Sequence, residues 1–204
     1  MIAIIDYGVG NLKSIENAVR FEGNSLRVDT VNDPDQLKKY SKIILPGVGA
    51  FGDAITKIRE TNFDDALYEE IQKGKYILGI CLGMQLLASV SHEYGTHNGL
   101  NLIEGEVLNF RTLEEDMRVP HIGWNNVRCV RPDRLMEDIE NESDFYFVHS
   151  YFFKAGNEQD VLGVTEYGIR FAAIINRDNI YGVQFHPEKS QAAGLKLVKN
   201  FIRL

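Results

Sequence analysis

The chain has 204 residues, with 22 Lys and Arg against 29 Asp and Glu, a formal charge of −7 and 44% hydrophobic residues. Enough apolar surface for a core excludes intrinsic disorder, and the acidic balance argues against a surface made for nucleic acid or an anionic membrane. Cys81 and Cys129, the two cysteines, are too few for a disulfide framework.

Residues 1–11 run into Asp6 after an apolar stretch with no basic segment before it, which is unlike a signal peptide. No apolar run approaches the roughly 20 residues that cross a bilayer. The expectation is a single cytoplasmic domain spanning residues 1–204.

In chain order, Ile2-Ala3-Ile4-Ile5 is a short apolar run closed by Asp6, the pattern of a strand covered on both faces. Asn11 then caps an expected helix with Leu12, Ile15 and Val19 at helical spacing and Gly23 as its stop. Strands are expected over residues 26–31 and 42–45, the second running into Pro46-Gly47-Val48-Gly49. Helices are expected over 51–60 and 62–73, with Asn62 and Asp65 at capping-box spacing and Gly74 as the stop. A buried strand over 76–80 ends at Cys81. Strands alternating with helices imply βαβ units on a parallel sheet.

The second half changes character. Strands are expected over 103–110, 119–130, 145–153, 161–167, 171–175 and 180–185. Arg177-Asp178-Asn179 forms a hairpin tip in which Asn179 tolerates the left-handed conformation, and residues 193–204 form an amphipathic helix. One α/β domain with an antiparallel β-rich portion accounts for all of this.

Gly79-Ile80-Cys81-Leu82-Gly83 is the thiol version of the nucleophile elbow. A strand must turn sharply into a helix there, and glycines two residues either side of the nucleophile remove the Cβ atoms that would clash. The helix expected over 84–88 brings its positive end under the sulfur, which favours thiolate, and the Leu82 amide faces a developing oxyanion. The alternative is a buried structural cysteine. Cys129 lies on an alternating strand without glycines, where packing explains it.

A nucleophilic thiol needs a base. His92 and His97 sit in a polar loop, His121 follows Pro120 in a strand, and His149 ends an aromatic run. His186 differs, because Pro187 follows it and then Glu188. If that segment is extended, residues two apart share a side, so Glu188 reaches back to orient the imidazole. His92 and His97 are five apart, off the helical ligand spacing, and no metal or cofactor is expected.

Pro46-Gly47-Val48-Gly49, Gly79-Ile80-Cys81-Leu82-Gly83-Met84-Gln85 and His186-Pro187-Glu188, in this order, resemble the class I (triad) glutamine amidotransferases. Further stretches resemble the glutaminase subunits of imidazole glycerol phosphate synthase. These are residues 6–12, Pro120-His121-Ile122-Gly123-Trp124-Asn125, residues 146–151 and residues 182–190. The similarity covers residues 2–204, with Ile122 where methionine is common, a volume-conserving swap.

The resemblance implies a flavodoxin-like three-layer sandwich with a mostly parallel central sheet. It also implies hydrolysis of L-glutamine to glutamate and ammonia, with ammonia passed to a (βα)₈-barrel cyclase in a heterodimer serving histidine biosynthesis. Carried over residue by residue, Cys81 is the nucleophile, His186 the acid and base, and Glu188 its orienting group. Leu82 with Val48 or Gly49 supplies the oxyanion amides, and Gly49, Gln85, Glu93, His149, Ser150 and Tyr151 hold glutamine. Asn11, Trp124 and Asn125 are the candidates for the partner surface, with core packing the alternative for Trp124.

Three other readings stand beside this one. They are a paralogous glutaminase feeding a sugar-amidating synthase, a non-catalytic regulatory subunit on the same fold, and a thiol hydrolase acting on larger substrates. The second would be expected to carry a broken triad, and Cys81, His186 and Glu188 are all present.

Overall fold

Ile2-Ala3-Ile4-Ile5 is buried at all four positions and forms β1 (Ile2–Ile5). The computed structural model describes residues 1–8, 10–23, 26–113 and 117–204; Val9, within the 6–12 motif, lies outside them. The first half continues as α1 (Leu12–Gly23), β2 (Val28–Val31), β3 (Lys42–Leu45), α2 (Phe51–Glu60), α3 (Phe63–Gln72), β4 (Tyr76–Ile80) and α4 (Leu82–Leu86). The second half contains β5 (Val90–Ser91), β6 (His97–Asn98), β7 (Gly105–Asn109), β8 (His121–Cys129), β9 (Ser143–His149) and β10 (Tyr151–Ala155). It closes with β11 (Val161–Tyr167), β12 (Ile169–Arg177), β13 (Ile180–Val183) and α5 (Gln191–Arg203).

A nine-stranded sheet runs β2-β1-β3-β4-β13-β12-β11-β8-β9. Strands β2, β1, β3, β4 and β13 are mutually parallel, and β12, β11, β8 and β9 extend the sheet antiparallel. The sheet is therefore mixed, with the antiparallel portion contributed by the second half as expected. Alternation along β1 sends Ile2 and Ile4 into one apolar core with Ile15, Val19, Leu197 and Phe201 of α1 and α5. Ala3 and Ile5 enter the other, with α2 and α3. Two cores on two faces make the three-layer α/β sandwich expected from the sequence. Among the described residues no helix is long and apolar enough to cross a membrane.

Several local expectations need correction. The stretch 145–153 is not one strand. His149 pairs with His121 of β8, whereas Tyr151 pairs with Asn109 of β7 in a separate four-stranded sheet, β10-β7-β5-β6. The aromatic pattern runs on through both strands; only their different partners reveal the break at Ser150. Asn62 sits in the left-handed region (φ 58°) and makes no side-chain cap, so Asp64 and Asp65 face the positive end of α3 instead. At the hairpin tip Asp178, not Asn179, has positive φ. The elbow helix starts at Leu82, immediately after Cys81, and is only five residues long.

That early start depends on an absence of side chains. A Cβ on Gly79 would lie 2.6 Å from the Gly83 carbonyl oxygen, and one on Gly83 would overlap the Leu45 carbonyl oxygen at the end of β3. Both obstacles are backbone and cannot rotate away. Gly74, at the end of α3, has φ +85° but open space around it. Gly83→Ala is expected to cost about 3 kcal/mol or more, and Gly74→Ala only about 1 kcal/mol, as read from urea unfolding midpoints at constant m-value.

Candidate active site at the ends of three parallel strands

Three adjacent parallel strands end side by side, β3 at Leu45, β4 at Ile80 and β13 at Val183. Their carboxyl ends deliver Pro46-Gly47-Val48-Gly49, Cys81 and Gln184-Phe185-His186, where open α/β sheets place their sites. Cys81 holds φ 55° and ψ −110°, a conformation disfavoured for any residue with a Cβ, and its amide donates to Val183 O at 2.8 Å. The sheet thus pins the strained apex. Met84 and Gln85 amides return to the Cys81 carbonyl, which leaves the amide of Leu82, at the first helical position, without an intrahelical acceptor.

His186 is fixed from both sides of its backbone. Its amide donates to Tyr146 O of β9 at 2.9 Å, and its carbonyl accepts from the Ser190 hydroxyl at 2.6 Å. Phe185 stacks on Phe145 with centroids 4.1 Å apart. Glu188 does reach His186, with Oε1 accepting from Nδ1–H at 2.8 Å, but not along an extended strand. Pro187, Glu188 and Lys189 form a 3₁₀ turn, and the turn folds the carboxylate back. Cys81 lines the same cavity as the ring, near enough for the sulfur to act on its titration.

These groups open into a cavity of about 360 Å³, lined by Val48, Gly49, Cys81, Leu82, Gln85, Glu93, Pro120, Val148, His149, Ser150, Tyr151, His186 and Lys189. Every residue named from the sequence for nucleophile, base, oxyanion or glutamine lies there, with Glu188 behind His186. The surface candidates stand apart. Asn11 is exposed and bonds Ser14, and Trp124 is 48% exposed, so core packing does not explain it. Asn125 is half-buried; alternation along β8 turns it to the opposite face from Trp124, and its amide donates to Glu166 O at 2.7 Å.

Residues 3–204 match the family described as Glutamine amidotransferase class-I. The imidazole glycerol phosphate synthase subunit HisH of Sulfurimonas denitrificans is 47% identical over 205 residues, covering 100% of this chain and 98% of the relative. That of Moorella thermoacetica is 48% identical over 200 residues, covering 98% and 93%. The chain belongs to the class I glutamine amidotransferases, among the HisH subunits. Its fold is also shared more distantly. A crystal structure of a glutamine amidotransferase superposes with a TM-score of 0.77 at 17% identity, covering 100% of this chain and 98% of that one. The structure of PurLQS from Thermotoga maritima gives 0.77 at 17%, covering 99% and 97%.

The site of this amidotransferase keeps its buried histidines in opposite states. Burial alone would push His186 down, but hydrogen bonds and charge from Cys81 and Glu188 outweigh it and raise the ring to about 9. Burial pushes His149 down to about 3 and His121 to about 4. Glu93 is also shifted by burial, upward, against the Phe51 amide that donates to its Oε2 at 2.7 Å. That bond ties the cavity to the first residue of α2, just beyond Val48 and Gly49.

Two positioning groups escaped the sequence reading. Gln184 is fully buried and donates to the Cys81 sulfur at 3.8 Å while accepting from Gln85 at 3.0 Å. Its place two residues before His186, on the same side of an extended segment, was the available signal. Tyr7 donates to Pro46 O at 2.9 Å and so steadies the loop that carries Val48 and Gly49. Burial, then the charge of Cys81, raises its hydroxyl pKa.

His186 keeps its proton below about pH 9 and loses it above. If that proton goes to the leaving ammonia, kcat/KM for glutamine falls as pH rises through that value. Glu188→Gln removes one support of the imidazolium, so the alkaline limb moves to lower pH and the maximum drops about 10²- to 10⁴-fold in a pH–rate profile.

Proposed function

We propose that this chain hydrolyses L-glutamine to L-glutamate and ammonia through a thioester on Cys81, and that the ammonia goes to a cyclase subunit making imidazole glycerol phosphate for histidine biosynthesis. The observation that carries the reading is the placement of Cys81 and His186 on the wall of one cavity beside Gln85 and Glu93, with Glu188 bonded to His186 from behind.

The Cys81 sulfur attacks the carboxamide carbon, and the oxygen that becomes negative is held by the Leu82 amide and one from Val48 or Gly49. His186 gives its proton to the departing nitrogen, the C–N bond breaks, and ammonia leaves a γ-glutamyl thioester. The ring, now neutral, takes a proton from water as that water attacks the thioester. Collapse of the second tetrahedral intermediate breaks the C–S bond and frees the sulfur, with the proton back on His186 as at the start, while the product carboxyl loses its own proton to solvent. Glu188 fixes the ring's tautomer throughout, and Glu93 supplies a carboxylate for the substrate ammonium.

Free ammonia is mostly protonated near neutral pH and then has no nucleophilic lone pair, so synthesis gains from direct transfer between subunits. The docking face for a barrel-shaped cyclase in a cytoplasmic heterodimer is the outer side of β8 and its neighbours. Ile122 (59% exposed) and Trp124 stand out from β8; Trp124 meets Tyr146 edge-on, and Lys189 lies 5.8 Å from the same ring. Lys189 and Pro120 also line the glutamine cavity, so this face continues into the site.

Glutamate release from glutamine is measured for the chain alone and with its cyclase. Cys81→Ala is expected to lose at least about 10³-fold in both settings, and retained turnover would remove the proposed nucleophile. Trp124→Ala is expected to weaken cyclase affinity at least about 30-fold, read by isothermal titration, with basal turnover unchanged.

A further inference from the structure

His149 lines the glutamine cavity, yet neither ring nitrogen is free for glutamine. Nδ1 lies 2.8 Å from Tyr151 O, and Nε2 lies 3.1 Å from Nδ1 of His121. The remaining nitrogen of His121 lies 3.4 Å from the Asn125 amide nitrogen.

Donor and acceptor roles along this row follow from its ends. A carbonyl only accepts, so His149 Nδ1 carries hydrogen. In a neutral ring Nε2 then accepts, so His121 Nδ1 donates. His121 Nε2 must in turn accept, and Asn125 donates to it while giving its other hydrogen to Glu166 O. Asn125 Oδ1 accepts from the Asn126 amide at 2.9 Å. Protonating His149 would set two N–H groups against each other, consistent with burial holding both rings below neutrality.

The row continues beyond Tyr151. The same carbonyl oxygen accepts from Gln85 Nε2 at 2.8 Å, Gln85 donates to Gln184, and Gln184 donates to Cys81. We propose that His121 and His149 are positioning residues for the glutaminase site, a tautomer-locked relay that fixes the Tyr151 carbonyl and, through it, the Gln85 side chain against which glutamine binds.

Packing enforces the relay. His121 stacks between Tyr167 and Phe147, with centroids at 4.1 and 4.8 Å, and Phe110 lies 5.3 Å from His149. Neither imidazole can turn without displacing an aromatic neighbour. The outer end lies on β8, the strand that also bears Ile122 and Trp124.

The inference rests on glutamine occupying this cavity, so Cys81→Ala is assayed alongside; if that variant still turns over, the site reading fails whatever the relay does. His121 is the position to vary, since it is one residue removed from the cavity wall. His121→Phe keeps an aromatic ring in the stack but removes the donor to His149. His121→Asn loses the stack but offers a side-chain N–H at the level of Nδ1.

With the cyclase bound, His121→Phe is expected to raise KM for glutamine about 10-fold with kcat within about two-fold, and His121→Asn to restore KM to within about three-fold of the unmodified chain. A packing role predicts the reverse ranking, with His121→Asn the more damaged. That ranking, or an unchanged KM in His121→Phe, overturns the proposal.

Nitrogen-15 spectra of histidine-labelled unmodified chain give a readout that needs no variant to fold. Both rings are expected as neutral Nδ1–H tautomers between about pH 5.5 and 8. An Nε2–H tautomer or imidazolium at either position overturns the proposal.

Discussion

The site depends on one backbone contact, the crossing of the strand–helix elbow against the end of the neighbouring strand. Gly83 packs against the Leu45 carbonyl and Gly79 against Gly83, with no room for a Cβ at either glycine. Because of that approach, the helix begins one residue after Cys81. Cys81 is then held at positive φ with its amide bonded to Val183 and its sulfur beside His186. A side chain at either glycine would separate three strand ends that must meet within a few ångströms.

Around this contact the protein places buried histidines of opposite kind. His186 sits between a sulfur and a carboxylate and is raised to about 9. His121 and His149 see aromatic rings, each other and hydrogen-bond partners whose polarity is already assigned, and are lowered to about 4 and 3. Burial pushes all three the same way; the neighbours decide the outcome. In the proposed mechanism one histidine moves a proton and two hold geometry.

Much of the first half was legible because its strands are short apolar runs with turn residues between them and its helices carry apolar stripes. Helix α2 lies over the residues expected, as do β1, β3 and β4. The proposed triad was legible because Gly79 and Gly83 flank Cys81 and because Pro187 and Glu188 follow His186. The second half was less so. The aromatic run from Phe145 to Phe153 has no internal signal of a change of partner, yet β9 joins one sheet and β10 another. Asn62 looked like a cap, but its left-handed backbone aims the side chain elsewhere.

By itself the sequence determined the class of fold and pointed to the proposed nucleophile, base and orienting carboxylate, because each is encoded by neighbours in the chain. Local rules of backbone geometry are enough to read such signals. The tertiary structure decided that the His149 ring bonds His121 and the Tyr151 carbonyl, that Asn125 and Trp124 stand on opposite faces of β8, and that Gln184 bonds the Cys81 sulfur and Tyr7 the Pro46 carbonyl. Those outcomes depend on which strands pair and in what register. A one-residue slip would send each of these side chains to the opposite face.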